Sequence, residues 1–251
     1  MMALDPIFLS RPFAHRGLFD TVRGIPENSL AAAEEAISHG YGIECDLQLS
    51  ADGQAMVFHD DNMERLTPAT GHVRDYMASE LKYFPLIGGE DGMPTLVELL
   101  DLVDGQVPLL IEIKDQDGQL GPEVGMLEES AAHVLRNYKG PAAVMSFNPN
   151  SIAAFQMAVP GMPVGLVTDD FTSDHWGQLP NSRRIGLTSM RDLDRLNADF
   201  ISHNYMDLAS SHVATAKQAG RSVLCWTVRS KAEEKKARKW ADNVTFEGYF
   251  A

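Results

Sequence analysis

The chain has 251 residues, 44% of them hydrophobic, with 21 basic against 35 acidic side chains and a formal net charge of -14. That length holds one sizeable core, as barrel proteins of this size do, and the negative field repels polyanions, which excludes nucleic acid as an expected partner. No apolar run approaches the roughly 20 residues that span a bilayer, residues 1–16 lack a basic segment followed by an apolar one, and two cysteines make no disulfide framework, so the expectation is one cytoplasmic domain without stable membrane insertion.

In chain order, a short apolar run at 12–16 precedes a helix over about 29–39, with Asn28 as its expected N-cap and Gly40 as its stop. Leu30, Ala33 and Ile37 share one face of that helix, and a strand over 42–49 follows at once, completing a βαβ unit. Residues 54–59 again read as a strand. Only four residues separate it from the last, so it must return antiparallel as a hairpin, because a parallel return needs a crossover of about a dozen residues.

Residues 60–93 are rich in Asp, Gly, Pro and Thr, show no period and read as an excursion above the barrel. A helix from about Thr95, with Leu96, Leu99, Leu100 and Val103 on one face, restores the alternation. Strand-like runs recur at 108–114, 142–147, 163–168, 199–204, 222–228 and 243–249. A helix carrying Val124, Leu127, Ala131, Val134, Leu135 and Tyr138 on one side lies between two of them, and another opens with a Ser230-x-x-Glu233 capping box. With the hairpin set aside there are eight strands, which favours a closed (β/α)8 TIM barrel carrying an insertion over about 50–94; a doubly wound open sheet is the structural alternative. The stretch 169–187 has no readable pattern.

Active sites of such barrels form at the C-terminal ends of the strands. Here the first strand ends in His15-Arg16-Gly17, the second carries Glu44-Cys45-Asp46, and the run at 108–114 ends in Glu112-Ile113-Lys114. Side chains two apart on a strand share a face, so Glu44 and Asp46 converge while Cys45 turns away, and Glu112 converges with Lys114. Three carboxylates at adjacent strand ends repel one another unless a cation lies between them, and hard oxygen ligands suit one divalent cation: Mg²⁺, Ca²⁺ or Mn²⁺. Pairing with Arg16 or Lys114 is the plainer alternative for any one of them. His59 closes the hairpin strand and returns to the barrel mouth opposite the region of Cys45 and Asp46, where it faces His15. Two histidines beside such a cluster match a general acid and a general base.

These pieces, in order, resemble the glycerophosphodiester phosphodiesterase family: His15-Arg16-Gly17, Pro26-Glu27-Asn28-Ser29, Glu44-x-Asp46-x-x-x-Ser50-x-Asp52-Gly53 and Val57-Phe58-His59-Asp60. Further on come Arg65-x-Thr67, Thr70-Gly71, Met93-Pro94-Thr95-Leu96-x-Glu98, Ile111-Glu112-Ile113-Lys114 and Trp226-Thr227-Val228. The resemblance runs from about residue 12 to 228. It implies a barrel with a small insertion after the second strand, metal ligation by Glu44, Asp46 and Glu112, and catalysis by His15 and His59. One departure stands out: the family's last strand ends in a Gly-Ile-Ile-Thr-Asp-like run, whereas this chain has Val244-Thr245-Phe246-Glu247-Gly248-Tyr249, which bears on alcohol specificity.

The expected reaction is metal-dependent hydrolysis of a small-molecule glycerophosphodiester to glycerol 3-phosphate and an alcohol. Arg16 and Lys114 would share the phosphate charge with the ion. Glu27 either orients Arg16 or a ligand, or serves the first turn of its helix. Phe147 and Trp226 either wall the substrate or pack the barrel. Two competing functions are a metal-dependent lyase or isomerase using Lys114 as its base, and a non-catalytic phosphodiester-binding protein.

Overall fold

The eight-residue run Gly42–Leu49, inward-facing at every second position, is the strand on which the site is built. The computed structural model describes residues 4–172 and 176–251. The strands are β1 (Phe13–Ala14), β2 (Gly42–Leu49), β3 (Ala55–Val57), β4 (Leu109–Ile113), β5 (Ala142–Ser146), β6 (Val164–Thr168), β7 (Phe200–Asn204), β8 (Ser222–Val228) and β9 (Asn243–Phe246). All but β3 pair in parallel with their neighbours, and β1 bonds to both β2 and β9, through Phe13↔Gly42 and Phe13↔Thr245, so the ring closes. Helices between the strands cover its outside, making a (β/α)8 barrel. The open-sheet alternative is thereby excluded.

The hairpin is where the spacing placed it. β3 runs antiparallel to β2 with Leu47 opposite Val57, outside the ring. The aperiodic excursion after it is held by its own small core, in which Met63, Leu66, Val73, Leu81, Leu86 and Met93 bury against Met56 and Phe58. Its backbone closes back through Val57 N–H donating to Pro94 O at 2.8 Å.

One local expectation is corrected, and one unread stretch gains its structure. The helix expected from residue 29 is Leu30–Ser38, and its cap is Ser29, not Asn28: the Ser29 hydroxyl accepts the Ala32 N–H at 3.0 Å. Asn28 instead takes a left-handed backbone with φ 55° and turns its amide toward the barrel interior. The unreadable stretch after residue 168 contains the helix Asn181–Thr188, and Phe171, Trp176, Leu179 and Leu187 join Leu120 in a small core above the strands.

Inside the ring the side chains change character from bottom to top. Phe13, Leu110, Ala143, Phe200 and Leu224 fill the floor, and the first helix, Ile7–Ser10, plugs it from below with Leu4 and Phe8. Asn243 ties that plug down by donating to the carbonyls of Phe8 and Arg11 at 2.8 and 2.6 Å. Alternate residues, among them Ile43, Cys45, Leu47, Ile111 and Ile113, face outward into the core shared with the helices. No helix of the described residues is long and apolar enough to cross a membrane.

Two glycines make room for the floor. A Cβ at Gly42 would lie 2.7 Å from the ring of Phe13, its register partner, and one at Gly165 would lie 2.5 Å from the ring of Phe200. Gly165→Ala should therefore destabilise the protein by about 1–3 kcal/mol, the usual cost of overpacking a filled interior. A lowered urea midpoint at unchanged m-value would show it; a wild-type midpoint would mean that the floor has slack.

Candidate active site at the barrel mouth

Above this floor the inward positions turn polar. A cavity of about 180 Å³ at the C-terminal ends of the strands is lined by His15, Arg16, Glu44, Asp46, Glu112 and Lys114, with His59 reaching in from beyond β3. The remaining sequence-derived candidates are placed here too, except one: Phe147 and Trp226 line the same cavity, and Glu27 stands behind it, bonded to Arg16 Nη1 at 2.5 Å.

Glu44, Asp46 and Glu112 are buried, and each offers an oxygen within 4.8 Å of the others. Register explains the meeting, since Asp46 on β2 lies directly across the ladder from Glu112 on β4. Lys114 Nζ bridges Asp46 Oδ1 at 2.8 Å and Glu112 Oε1 at 2.7 Å. Arg16 approaches Asp46 with Nε at 3.4 Å, and its backbone N–H donates to Glu44 Oε2 at 3.0 Å. Burial, and then the facing charges of Asp46 and Glu112, push Glu44 well above the usual carboxylate range. Asp46 is as deeply buried, yet the charges of Lys114, His59 and Arg16 hold it below that range. The cluster thus has more negative charge than its two cations meet. Its donor set, carboxylate oxygens only, fits a hard divalent cation.

Each histidine is backed by a carboxylate. His15 Nδ1 lies 2.5 Å from Glu247 Oε2, and its Nε2 lies 3.9 Å from Glu44. His59 Nδ1 lies 2.6 Å from Asp60 Oδ1. A carboxylate at Nδ1 selects the tautomer with its proton there and leaves Nε2 to the cavity. Burial lowers the His15 pKa, with the Arg16 charge acting the same way and the bond to Glu247 opposing them. Glu247, which burial alone would raise, is drawn down to about 2 by His15 and Arg229, whose Nε donates to it at 2.7 Å.

Four residues of this network had no role at the site in the sequence reading: Glu247, Asp60, Arg65 and Asn28. Glu247 stood out only as a departure at the end of the last strand, and the structure puts that departure against His15. Asp60 and Arg65 were parts of quoted runs. Arg65 clamps Asp60 through Nε at 2.6 Å and Glu27 through Nη2 at 2.8 Å, which joins the hairpin end to the loop carrying Arg16. Asn28 was read as a cap. Its Nδ2 donates to Asp46 Oδ2 at 2.9 Å while its Oδ1 accepts the Asp46 N–H at 3.3 Å. A signal for it was present: Asn28-Ser29 offers two capping residues where a helix can use one.

The loop holding Arg16 is shaped by local constraints. Arg16 and Gly17 both have positive φ, 56° and 77°, and a Cβ at Gly17 would lie 2.8 Å from the backbone of Ala32. Glycine alone lets the turn sit on the start of the next helix. Strained backbone of this kind concentrates where surrounding structure holds a functional side chain in place.

The sequence profile of the Glycerophosphoryl diester phosphodiesterase family matches residues 15–244. A glycerophosphodiester phosphodiesterase of Bacillus altitudinis is 31% identical over 198 residues, covering 72% of this chain and 79% of its own. Another, from Caldanaerobacter subterraneus, is 28% identical over 88% of this chain and 86% of its own. Among solved structures, an Oleispira antarctica phosphodiesterase in complex with the product sn-glycerol-3-phosphate has the same fold, with a TM-score of 0.76 at 24% identity over 96% of this chain and 93% of that one.

Replacing Asn28 by Ala strips one hydrogen bond from the buried Asp46 carboxylate and one from its backbone N–H. Asn28→Ala is expected to cost about 1–3 kcal/mol of unfolding free energy, measurable by urea denaturation. A loss below about 0.5 kcal/mol, the range of ordinary surface substitutions, would mean that Asp46 is satisfied by its cations alone.

Proposed function

The chain belongs to the glycerophosphoryl diester phosphodiesterase family and is a phosphoric diester hydrolase; from that premise we propose that it hydrolyses glycerophosphodiesters to glycerol 3-phosphate and an alcohol, with one divalent cation and two histidines. The observation that carries this reading is the shared cavity: a three-carboxylate cluster, two cationic side chains and two carboxylate-backed imidazoles converge on one space. The product named for the Oleispira antarctica protein is the product expected here.

Glu44, Asp46 and Glu112 would hold the cation, Mg²⁺, Ca²⁺ or Mn²⁺. When bound, it supplies Lewis acidity toward a phosphoryl oxygen. Arg16 and Lys114 present fixed positive charge to the phosphate, and because Glu27, Asp46 and Glu112 already hold them in place, little reorganisation is needed as charge develops on phosphorus. His15 takes a proton at Nε2 from the attacking group, while Glu247 keeps the proton on Nδ1 and balances the imidazolium that forms. The attacking group is water or the neighbouring glycerol hydroxyl by way of a cyclic phosphate, and either needs this base. His59, oriented by Asp60, delivers the proton to the leaving oxygen. Phe147 and Trp226 wall the cavity beside it.

The competing use of Lys114 as a base finds no support in its surroundings. Although buried, its ammonium is held above its ordinary pKa by Asp46 and Glu112, so it serves as a charge and not as a proton acceptor. The reading takes the whole chain as one barrel domain with its insertion over about 50–94, and places it in the cytoplasm, in keeping with the free, buried thiols of Cys45 and Cys225.

Release of glycerol 3-phosphate from glycerophosphocholine tests the proposal. Activity should vanish in EDTA and return with Mg²⁺, Ca²⁺ or Mn²⁺; binding without turnover under every metal would make the protein a non-catalytic binder. His15→Ala and His59→Ala should each lower kcat by about 10²–10⁴-fold, the range for loss of a general acid or base. Full activity in both, with Lys114→Ala inactive, would favour the lyase or isomerase chemistry instead. Glu247→Gln should reduce kcat by about tenfold or more with little change in KM, and Glu247→Asp should recover part of it, as expected for a residue that acts through His15. Full activity in Glu247→Gln with a loss in Glu247→Asp would argue that the length of the side chain matters and its charge does not.

A further inference from the structure

The cavity of the barrel mouth does not end at the two histidines. A cleft of about 760 Å³ opens beside it and shares His59, Glu112, Lys114, Phe147 and Trp226 with it. The two spaces differ in charge. In the inner one Arg16, Arg229 and Lys114 stand against Glu44, Asp46 and Glu112, whereas the outer one adds Asp60, Asp61, Asp115 and Asp169 and, among the described lining residues, no cation besides Lys114.

Two of those carboxylates are met by neutral donors. Asp169, just beyond β6 and 7% exposed, accepts the indole N–H of Trp176 at 2.8 Å, the Asn204 amide at 3.1 Å and the Asp170 N–H at 2.8 Å. Asp115 accepts the Leu120 N–H at 2.9 Å and the Asn148 amide at 2.7 Å. Burial, together with Asp117 beside it, keeps Asp115 above its ordinary pKa, the mark of a carboxylate short of positive charge. Aromatic rings stand between these acids and the reaction centre: the Phe147 centroid lies 5.0 Å from that of Trp176 and 5.6 Å, edge-on, from that of Trp226. Rings and unneutralised carboxylates around one cleft attract an ammonium group, the rings through their quadrupole and the acids through charge.

We infer that the outer cleft is the alcohol subsite and that it selects a cationic head group, an ammonium alcohol of the choline or ethanolamine type, over a neutral polyol. This rests on the hydrolase reading above. The position of the histidines gives the direction: His15 lines only the inner cavity, and His59 lines both, so an alcohol seated in the cleft departs past His59. A diester with an anionic phosphate and a cationic alcohol then finds Arg16, Lys114 and Arg229 at the inner cavity and the acidic outer cleft at its other end. Over longer distances the net charge of -14 repels the anionic diesters of neutral alcohols, whereas the ammonium diesters, zwitterions without net charge, escape that repulsion.

The test compares kcat/KM for release of glycerol 3-phosphate from the choline, ethanolamine, glycerol and inositol diesters, in the metal that supports the highest rate. The two ammonium substrates should lead the two neutral ones by about tenfold, the scale of one partly exposed cation–π contact with a charge behind it. Tetramethylammonium chloride should compete with the choline diester, and sodium chloride at equal ionic strength should not. Asp169→Asn should shrink the choline-to-glycerol ratio by about threefold or more, chiefly through KM, in keeping with loss of one charge from a partly screened site. Equal rates on all four diesters, or a lead for the neutral ones, would overturn the subsite assignment and leave the hydrolase reading standing. No hydrolysis of any diester with any metal would overturn both. An unchanged ratio in a folded Asp169→Asn protein would remove Asp169 from the subsite.

Discussion

Three carboxylates buried within 4.8 Å of one another constrain the whole upper half of this barrel. Burying one unpaired carboxylate already costs several kcal/mol after relaxation. The fold meets that cost with groups drawn from separate segments: Lys114 from the end of β4, Arg16 from the loop after β1, and the Asn28 amide from the turn before the first outer helix. Arg16 has a further anchor of its own. Arg16 is held by Glu27, Glu27 by Arg65, and Arg65 by Asp60, which in turn orients His59. A continuous chain of charge-assisted contacts therefore runs from the carboxylate cluster to the far histidine. The insertion that carries Asp60 and Arg65 is tied to the barrel by this chain as well as by its own apolar core.

The division between floor and mouth follows from strand periodicity. Inward positions run from Phe13 on β1 to His15 just beyond it, from Gly42 to Glu44 and Asp46 on β2, and from Leu110 and Glu112 on β4 to Lys114 just past its end. Filling the lower layer with rings excludes water beneath the site, and with less water each charge pair above is stronger. The same low dielectric makes an unmatched carboxylate costly. That explains why partners as distant in sequence as His15 and Glu247 share a bond.

Much of this architecture was legible before any coordinates. Apolar alternation marked the strands, the four-residue connection before Gln54 required a hairpin, and spacings of two placed Glu44 with Asp46 and Glu112 with Lys114, because strand geometry is local and repeats every second residue. Capping was legible only in part. Ser230 caps its helix as read, but Asn28 gave that place to Ser29, since a buried carboxylate 18 positions away competed for its amide. The stretch after residue 168 had no pattern to read, because Phe171, Trp176 and Leu179 pack with Leu120 from another loop and not along one helix face.

By itself, then, the sequence determined the alternation of strands and helices with one hairpin set aside, the strand ends at which charge gathers, and the family these motifs resemble, all of which depend on residues near one another along the chain. Tertiary structure alone decided that the ring of strands closes, which carboxylate stands behind each histidine, how Arg65 links the hairpin to Arg16, and that the mouth divides into an inner cavity of paired charges and an acidic outer cleft. These depend on closure. Only when β1 bonds to both β2 and β9 do residues 15 and 247 come within hydrogen-bonding distance, and no local rule of spacing relates positions 232 residues apart.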